Sequence, residues 1–218
     1  MLDGRQRKMS YSNSKMVSYT HLSPHYKART GKITKITIHH AAVVNASLKG
    51  LGNGFSGSRV ASSNYGVDND GKIGMYVEEK NRAMTSSSSV NDNVAVTIEV
   101  ANCKGEPNWE VSDKAMSALI ELCVDICKRN DIKEINFTGD ATGNLTQHNY
   151  FAATGCPGPY LKSKFTYIAE QINKQLKPAK NVFYRVQVGA FSNKTFAQNM
   201  VKDLKSKGYD AFIVEVEK

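Results

Sequence analysis

The sequence predicts an α/β protein. Three observations carry this: a β-branched run at Ile36-Thr37-Ile38, a strictly alternating run at Val94–Val100, and amphipathic helical patterns over 112–129 and 162–176. Apolar spacing of period 2 and of period 3.6 along one chain calls for strands and helices that bury their faces against each other.

In chain order, residues 1–31 form a lead-in without periodicity, in which Tyr, Ser, His21, Pro24 and His25 are spread irregularly. Met9 opens Met-Ser-Tyr-Ser, which reads as a natural start, so residues 1–8 are expected to be a leader or a remnant of added sequence. From Lys32 the pattern becomes a strand. Side chains alternate across a strand, so Ile36, Ile38 and His40 face the core while Thr37 and His39 face away from it. Residues 45–64 are rich in Gly and Ser and predict a long loop with a short helix around Ser58–Ser62. Asn64–Val67 and Lys72–Val77 predict two strands; Asp70-Gly71 between them supplies the positive φ of a tight hairpin turn. Ser86–Ser89 reads as a loop.

Val94–Val100 places Val94, Val96, Ile98 and Val100 on one face and Ala95, Thr97 and Glu99 on the other. Ser112–Arg129 is a helix that Ser112 can cap and whose C-terminal dipole suits Lys128 and Arg129. Its stripe of Ala115, Met116, Leu119, Ile120, Cys123, Ile126 and Cys127 is core. Ile132–Phe137 predicts a strand, the loop Thr138–Gln147 delivers His148, and Lys162–Leu176 is a second amphipathic helix. A linker at 177–181 precedes a βαβ unit at 182–218: strand Tyr184–Val188, helix Thr195–Lys207 ended by Gly208, strand Ala211–Val216. That unit is too small to bury a core alone.

Composition narrows the function. No apolar run is long enough to span a bilayer, and no apolar segment follows the N-terminal charges, so neither membrane insertion nor a secretory signal is expected. The net charge of +9 favours polyanions. Of nucleic acid, acidic membranes and anionic cell-wall polymers, the first is weakened, because lysines and arginines are scattered rather than gathered in a stripe. The cysteines, Cys103, Cys123, Cys127 and Cys156, are expected to be free thiols, with Cys123 and Cys127 as small apolar fillers.

The chemistry concentrates at His148 and Cys156, eight residues apart, with Cys156 leading into Pro157-Gly158-Pro159. Imidazole and thiolate are the preferred ligands of zinc, and a catalytic zinc takes three protein ligands and keeps a fourth position for water. His39 is chosen over His40 as third ligand on strand parity. Glu99, a carboxylate near the end of a buried strand, is expensive unless paired or used, and a zinc site lacks only a base. Thr154, two residues before Cys156, is a candidate oxyanion donor, with a plain loop threonine as the equal alternative.

Residues 32–176 resemble a zinc-dependent N-acetylmuramoyl-L-alanine amidase of the type shared by phage endolysins and peptidoglycan recognition proteins. The motifs are Ile-Thr-Ile-His39-His40-Ala, Val-Thr-Ile-Glu99-Val and His148 followed by Thr154-Gly-Cys156-Pro-Gly. The resemblance implies a central mixed β-sheet flanked by helices. It implies zinc held by His39, His148 and Cys156, with Glu99 and Thr154 as catalytic residues. The reaction implied is hydrolysis of the amide between N-acetylmuramic acid and the L-alanine of the stem peptide. Recognition proteins that only bind peptidoglycan have lost the ligand cysteine; Cys156 therefore favours an enzyme over a non-catalytic binder using the same groove. Many relatives carry Tyr-His or Trp-His where this chain has Ser63-Asn64-Tyr65, which leaves Tyr65 either lining the cleft as a substrate contact or in the core.

The run from Ser62 through Glu79-Lys80-Asn81-Arg82-Ala83 to Asp92 is similar to endolysins of clostridial phages and prophages. This implies synthesis in the host cytoplasm and action on a Gram-positive, clostridial cell wall. Phe183–Ser192 resembles the opening of a sporulation-related (SPOR) repeat, a glycan-binding module normally made of two βαβ halves. One half is visible, which could associate with a second copy as a homodimer.

Overall fold

The computed structural model describes residues 11–177 and 186–216. The chain divides into two units, Met1–Pro178 and Ala179–Lys218. The expected leader at 1–8, most of the linker and the start of the strand at Tyr184 lie outside the described residues.

The first unit is a mixed α/β layer structure, as expected. Its strands are β1 (Val17–Thr20), β2 (Tyr26–Ala28), β3 (Lys35–Val44), β4 (Tyr65–Val67), β5 (Ile73–Met75), β6 (Asn81–Ala83), β7 (Ala95–Asn102) and β8 (Leu145–Gln147). Its helices are α1 (Leu48–Phe55), α2 (Ser89–Val94), α3 (Asp113–Arg129) and α4 (Gly158–Leu176). The main sheet runs β1-β5-β4-β7-β3-β8, with β4 and β5 antiparallel and every other pair parallel; β2 and β6 form a separate antiparallel pair.

The two faces of this sheet have different chemistry. Ile36 and Ile38 of β3 and Val96, Ile98 and Val100 of β7 are fully buried in one cluster with Leu119, Leu122, Cys123 and Ile126 of α3 and Leu161, Phe165 and Ile168 of α4. α3 begins where Ser112 Oγ accepts the Ala115 N–H. All four cysteines are free. The opposite face carries Thr37 and Thr146, whose hydroxyls bond each other while Thr37 also accepts from Asn91, and Thr97, whose hydroxyl accepts the Asn64 N–H. Buried polar groups persist only when so partnered.

Several elements differ from the sequence expectation. The lead-in is not irregular: β1 adds to the edge of the main sheet, and β2 pairs with β6. The helix expected around Ser58–Ser62 lies instead at α1, capped by Ser47; Ser62 is extended and its hydroxyl donates to the His25 carbonyl. The serine run contains the cap of α2, Ser88, and Val94 ends that helix, so the strand starts at Ala95. Ile132–Phe137 is not a strand. The position beside β3 is taken by β8, and the side chain of Asn173 on α4 bonds both the N–H and the carbonyl of Ile135 in place of a ladder. α4 begins at Gly158, four residues before the expected start, because proline is tolerated in a first helical turn.

Tyr65 is a correction. In register it sits opposite Ile98, on the helix-packed face, and it is fully buried. Its hydroxyl donates to Glu79 at 2.7 Å and accepts the Ser14 N–H at 2.9 Å. Glu79, equally buried, also takes Arg129 at 2.6 Å and 2.9 Å. Tyr65 therefore belongs to a polar tie beneath the sheet and lines no cleft.

The second unit contains α5 (Lys194–Ser206), capped by Asn193, and a Lys194–Glu215 ion pair at 2.7 Å. Neither expected flanking strand forms among its described residues, and none of those residues is buried. An extended segment with no neighbour to pair with and no covered face does not hold as a strand. Among the described residues of the chain, no helix is long and apolar enough to cross a membrane.

Tyr65→Phe removes the donor to Glu79 and the acceptor for Ser14. We expect a loss of about 1–3 kcal/mol of unfolding free energy, measured by urea denaturation; an unchanged midpoint would contradict this placement.

Candidate metal centre

The site follows from strand register. β3 lies between β7 and β8, parallel to both. His39 is directly opposite Glu99, and Ile38 is directly opposite Gln147, so the next residue on each strand brings His148 beside His39. His148 opens a short 3-10 turn, His148–Tyr150. The rings of His39 and His148 are 4.5 Å apart.

Cys156 reaches the same point from the turn before α4. Its sulfur is 3.7 Å from His39 Nδ1 and accepts the His40 N–H at 3.4 Å. Its own N–H donates to Thr154 Oγ1 at 3.2 Å. Gly158 is required here. Its φ is +82°, and a Cβ would lie 3.0 Å from the His40 ring and 3.2 Å from Trp109. His40 packs edge-on against Trp109, on the far side of the strand from His39.

The ligand atoms of His39, His148 and Cys156 all lie within 4.8 Å of one another, and Glu99 Oε1 is 4.0 Å from His39 Nδ1. Zinc–nitrogen and zinc–sulfur bonds in a tetrahedron place the ligand atoms about 3.5 Å apart. The trio therefore needs only small closure to hold one ion.

Electrostatics favour the same reading. Burial drives His39 well below the ordinary imidazole range, helped by His148 and His40, and burial with the Arg59 charge lowers His148. Both rings are held neutral, the form that binds metal. Burial, and then the charge of Glu99, pushes the Cys156 thiol up, so a thiolate here needs a cation beside it. Burial raises Glu99 to about 8, with Arg59 acting against it. His39 Nε2, His148 Nε2 and Glu99 Oε2 are buried with no hydrogen-bond partner. Unpartnered polar atoms on three side chains gathered with one sulfur fit a metal better than any protein-only network.

The structure thus gathers His39, His148, Cys156 and Glu99, with Thr154 bracing the Cys156 turn, and leaves Tyr65 elsewhere. Sequence reasoning missed Arg59 and Trp109. Arg59 lies in the Gly/Ser stretch 45–64, which carries two cations, Lys49 and Arg59, and nothing in the sequence separates them. Trp109 has no signal either; it is held at φ 54° by the loop after β7, where Asn102 donates to its carbonyl at 2.8 Å.

Comparison with known proteins adds the following. The family model described as N-acetylmuramoyl-L-alanine amidase matches residues 29–159, and the SPOR domain model matches 180–218. No curated protein matches the chain. Solved structures with the same fold include a mutant endolysin from Bacillus subtilis, at 15% identity and TM-score 0.56, over 71% of this chain and 97% of that one. The catalytic domain of XlyA aligns at 18% identity and TM-score 0.53, over 71% and 97%. A selenomethionine AmpD derivative aligns at 16% identity and TM-score 0.52, over 74% and 99%. At such identities the likeness is one of fold.

Two outcomes test the centre. Cys156→Ser should weaken zinc uptake, followed by equilibrium dialysis and elemental analysis, by more than the ~10–100-fold that loss of an outer partner costs. Zinc binding should also release protons at neutral pH, because burial keeps Cys156 as a thiol until the ion arrives. Titration calorimetry in buffers of different ionisation enthalpy reads this release directly.

Proposed function

This chain belongs to the N-acetylmuramoyl-L-alanine amidase family, and from that premise we propose that it is a zinc-dependent peptidoglycan hydrolase. It cuts the amide between N-acetylmuramic acid and the L-alanine of the stem peptide, in the manner of a phage or prophage endolysin. The observation that carries this is the convergence of two neutral imidazoles, one sulfur and a carboxylate with one unpartnered oxygen around His39, midway along β3.

His39, His148 and Cys156 would hold the zinc, which when bound acidifies a water and withdraws electron density from the scissile carbonyl. Glu99 does the proton work. Its Oε2 is free to take the proton of the attacking water and to return it to the amide nitrogen as the bond to L-alanine breaks. The burial that raises Glu99 suits both halves of this task near neutral pH. Thr154 accepts the Cys156 N–H, which leaves its own hydroxyl hydrogen to donate to the oxyanion. The Cys-Pro-Gly turn holds the sulfur at fixed depth, because Gly158 lets His40 and Trp109 close against it.

The SPOR match at 180–218 supports attachment to wall glycan, and the charge of +9 supports attraction to an anionic, Gram-positive wall. A clostridial target follows from the sequence resemblance alone.

Glu99→Gln should keep its zinc and lose about 10²–10⁴ in turnover on purified walls, read as new L-alanine amino termini. Walls that bind the zinc-loaded wild type without release of those termini would identify a binding protein instead.

A further inference from the structure

Trp109 is the one tryptophan of the chain, and its loop, between β7 and α3, is tied to two elements that build the candidate metal centre. At the β7 end, the Asn102 side chain donates to the Trp109 carbonyl at 2.8 Å, and the Cys103 N–H donates to the Glu110 carbonyl at 2.8 Å. At the α4 end, the Asn108 carbonyl accepts the Tyr160 N–H at 3.1 Å. The Trp109 N–H closes on the Gly105 carbonyl at 2.9 Å. These bonds hold Trp109 at φ 54°, a region that a residue with a Cβ enters only at a cost. A costly conformation held from several sides points to a use for the side chain it places.

The indole meets the turn that carries Cys156. Trp109 and His40 pack edge to face with ring centres 5.5 Å apart, and Gly158 lies against both. A Cβ on Gly158 would stand 3.0 Å from the His40 ring and 3.2 Å from the Trp109 Cβ. The His40 Nδ1, on the side of Gly158, is buried with no hydrogen-bond partner, so here the ring acts by its shape. The backbone N–H of the same residue donates to the Cys156 sulfur at 3.4 Å. Contact therefore runs unbroken from the strained loop to the sulfur, and groups packed this closely do not shift independently.

We infer that Trp109 is a positioning residue of the metal centre: through His40 and Gly158 it fixes the depth of the Cys156 sulfur, and with it the affinity for zinc. The inference rests on the zinc reading above. The three ligands are not held alike. His39 lies within β3 and His148 directly follows β8, so the sheet places both. Cys156 lies on a turn outside the sheet, with no ladder to fix it. The Trp109 loop supplies that hold, and it does so from the end of the strand that carries Glu99.

The test is a double-mutant cycle on the full chain, with zinc affinity read by competition against a chromogenic chelator. The proteins are wild type, Trp109→Leu, Cys156→Ser and the pair combined. Trp109→Leu alone should lower the affinity about 10–100-fold, the cost of losing a partner that orients a ligand. In the Cys156→Ser background the same change should cost almost nothing, because the sulfur it positions is gone. Trp109→Phe, which keeps an aromatic edge for His40, should return the affinity to near the wild-type value. If Trp109→Leu does not fold, Asn102→Ala, which unties the Trp109 carbonyl and leaves the indole, goes through the same cycle with the same expectation. An unchanged affinity, or an equal loss with and without the Cys156 sulfur, overturns the positioning role and leaves the zinc reading intact. No zinc uptake by wild type overturns both.

Discussion

Everything at the site depends on three parallel strands lying in one register. β7, β3 and β8 run side by side, and at the level of His39 they present Glu99 on one flank and His148 on the other. Slipping any one strand by a single residue would turn its chemical group into the apolar layer beneath. The register is enforced from that layer. Ile36 and Ile38 are locked between Val96, Ile98 and the helices α3 and α4, and each is wholly buried. The apolar face thus fixes the geometry of the polar one.

The polar face is tolerable only because it is filled. Thr37 and Thr146 bond each other, Asn91 donates to Thr37, and Thr97 accepts the Asn64 N–H below the candidate metal centre. At the centre itself that bonding stops, and three buried polar atoms have no partner. An unpaired buried group costs roughly 1–3 kcal/mol, so a protein that keeps several together has a use for them. Cys156 completes the set from outside the sheet, on a turn whose glycine admits no side chain.

Much of this was legible in the residues. Parity along Ile36–His40 separates His39 from His40 without any structure, and the alternation of Val94–Val100 puts Glu99 on the His39 side of its strand. The hairpin at Asp68–Gly71 and the helices α3 and α4 follow from turn chemistry and period. What escaped was tertiary. β1 and β2 are four and three residues long, too short to show a period, and exist only because β5 and β6 offer them an edge. Ile132–Phe137 has strand composition, yet Asn173 takes its hydrogen bonds. Tyr65 was open between cleft and core, because Ser63-Asn64-Tyr65 departs from the aromatic-histidine pair of many relatives; its register with Ile98 puts it in the core. Glu79, the carboxylate that holds Tyr65 and Arg129, lies 50 residues before Arg129 in the chain, a distance over which local pattern says nothing.

X-ray absorption at the zinc edge of the loaded protein tests the central claim most directly. The expected environment of zinc is two nitrogens at ~2.0 Å, one sulfur at ~2.3 Å and one light atom from solvent. A shell without sulfur, or one made of four protein ligands with no solvent atom, would contradict it.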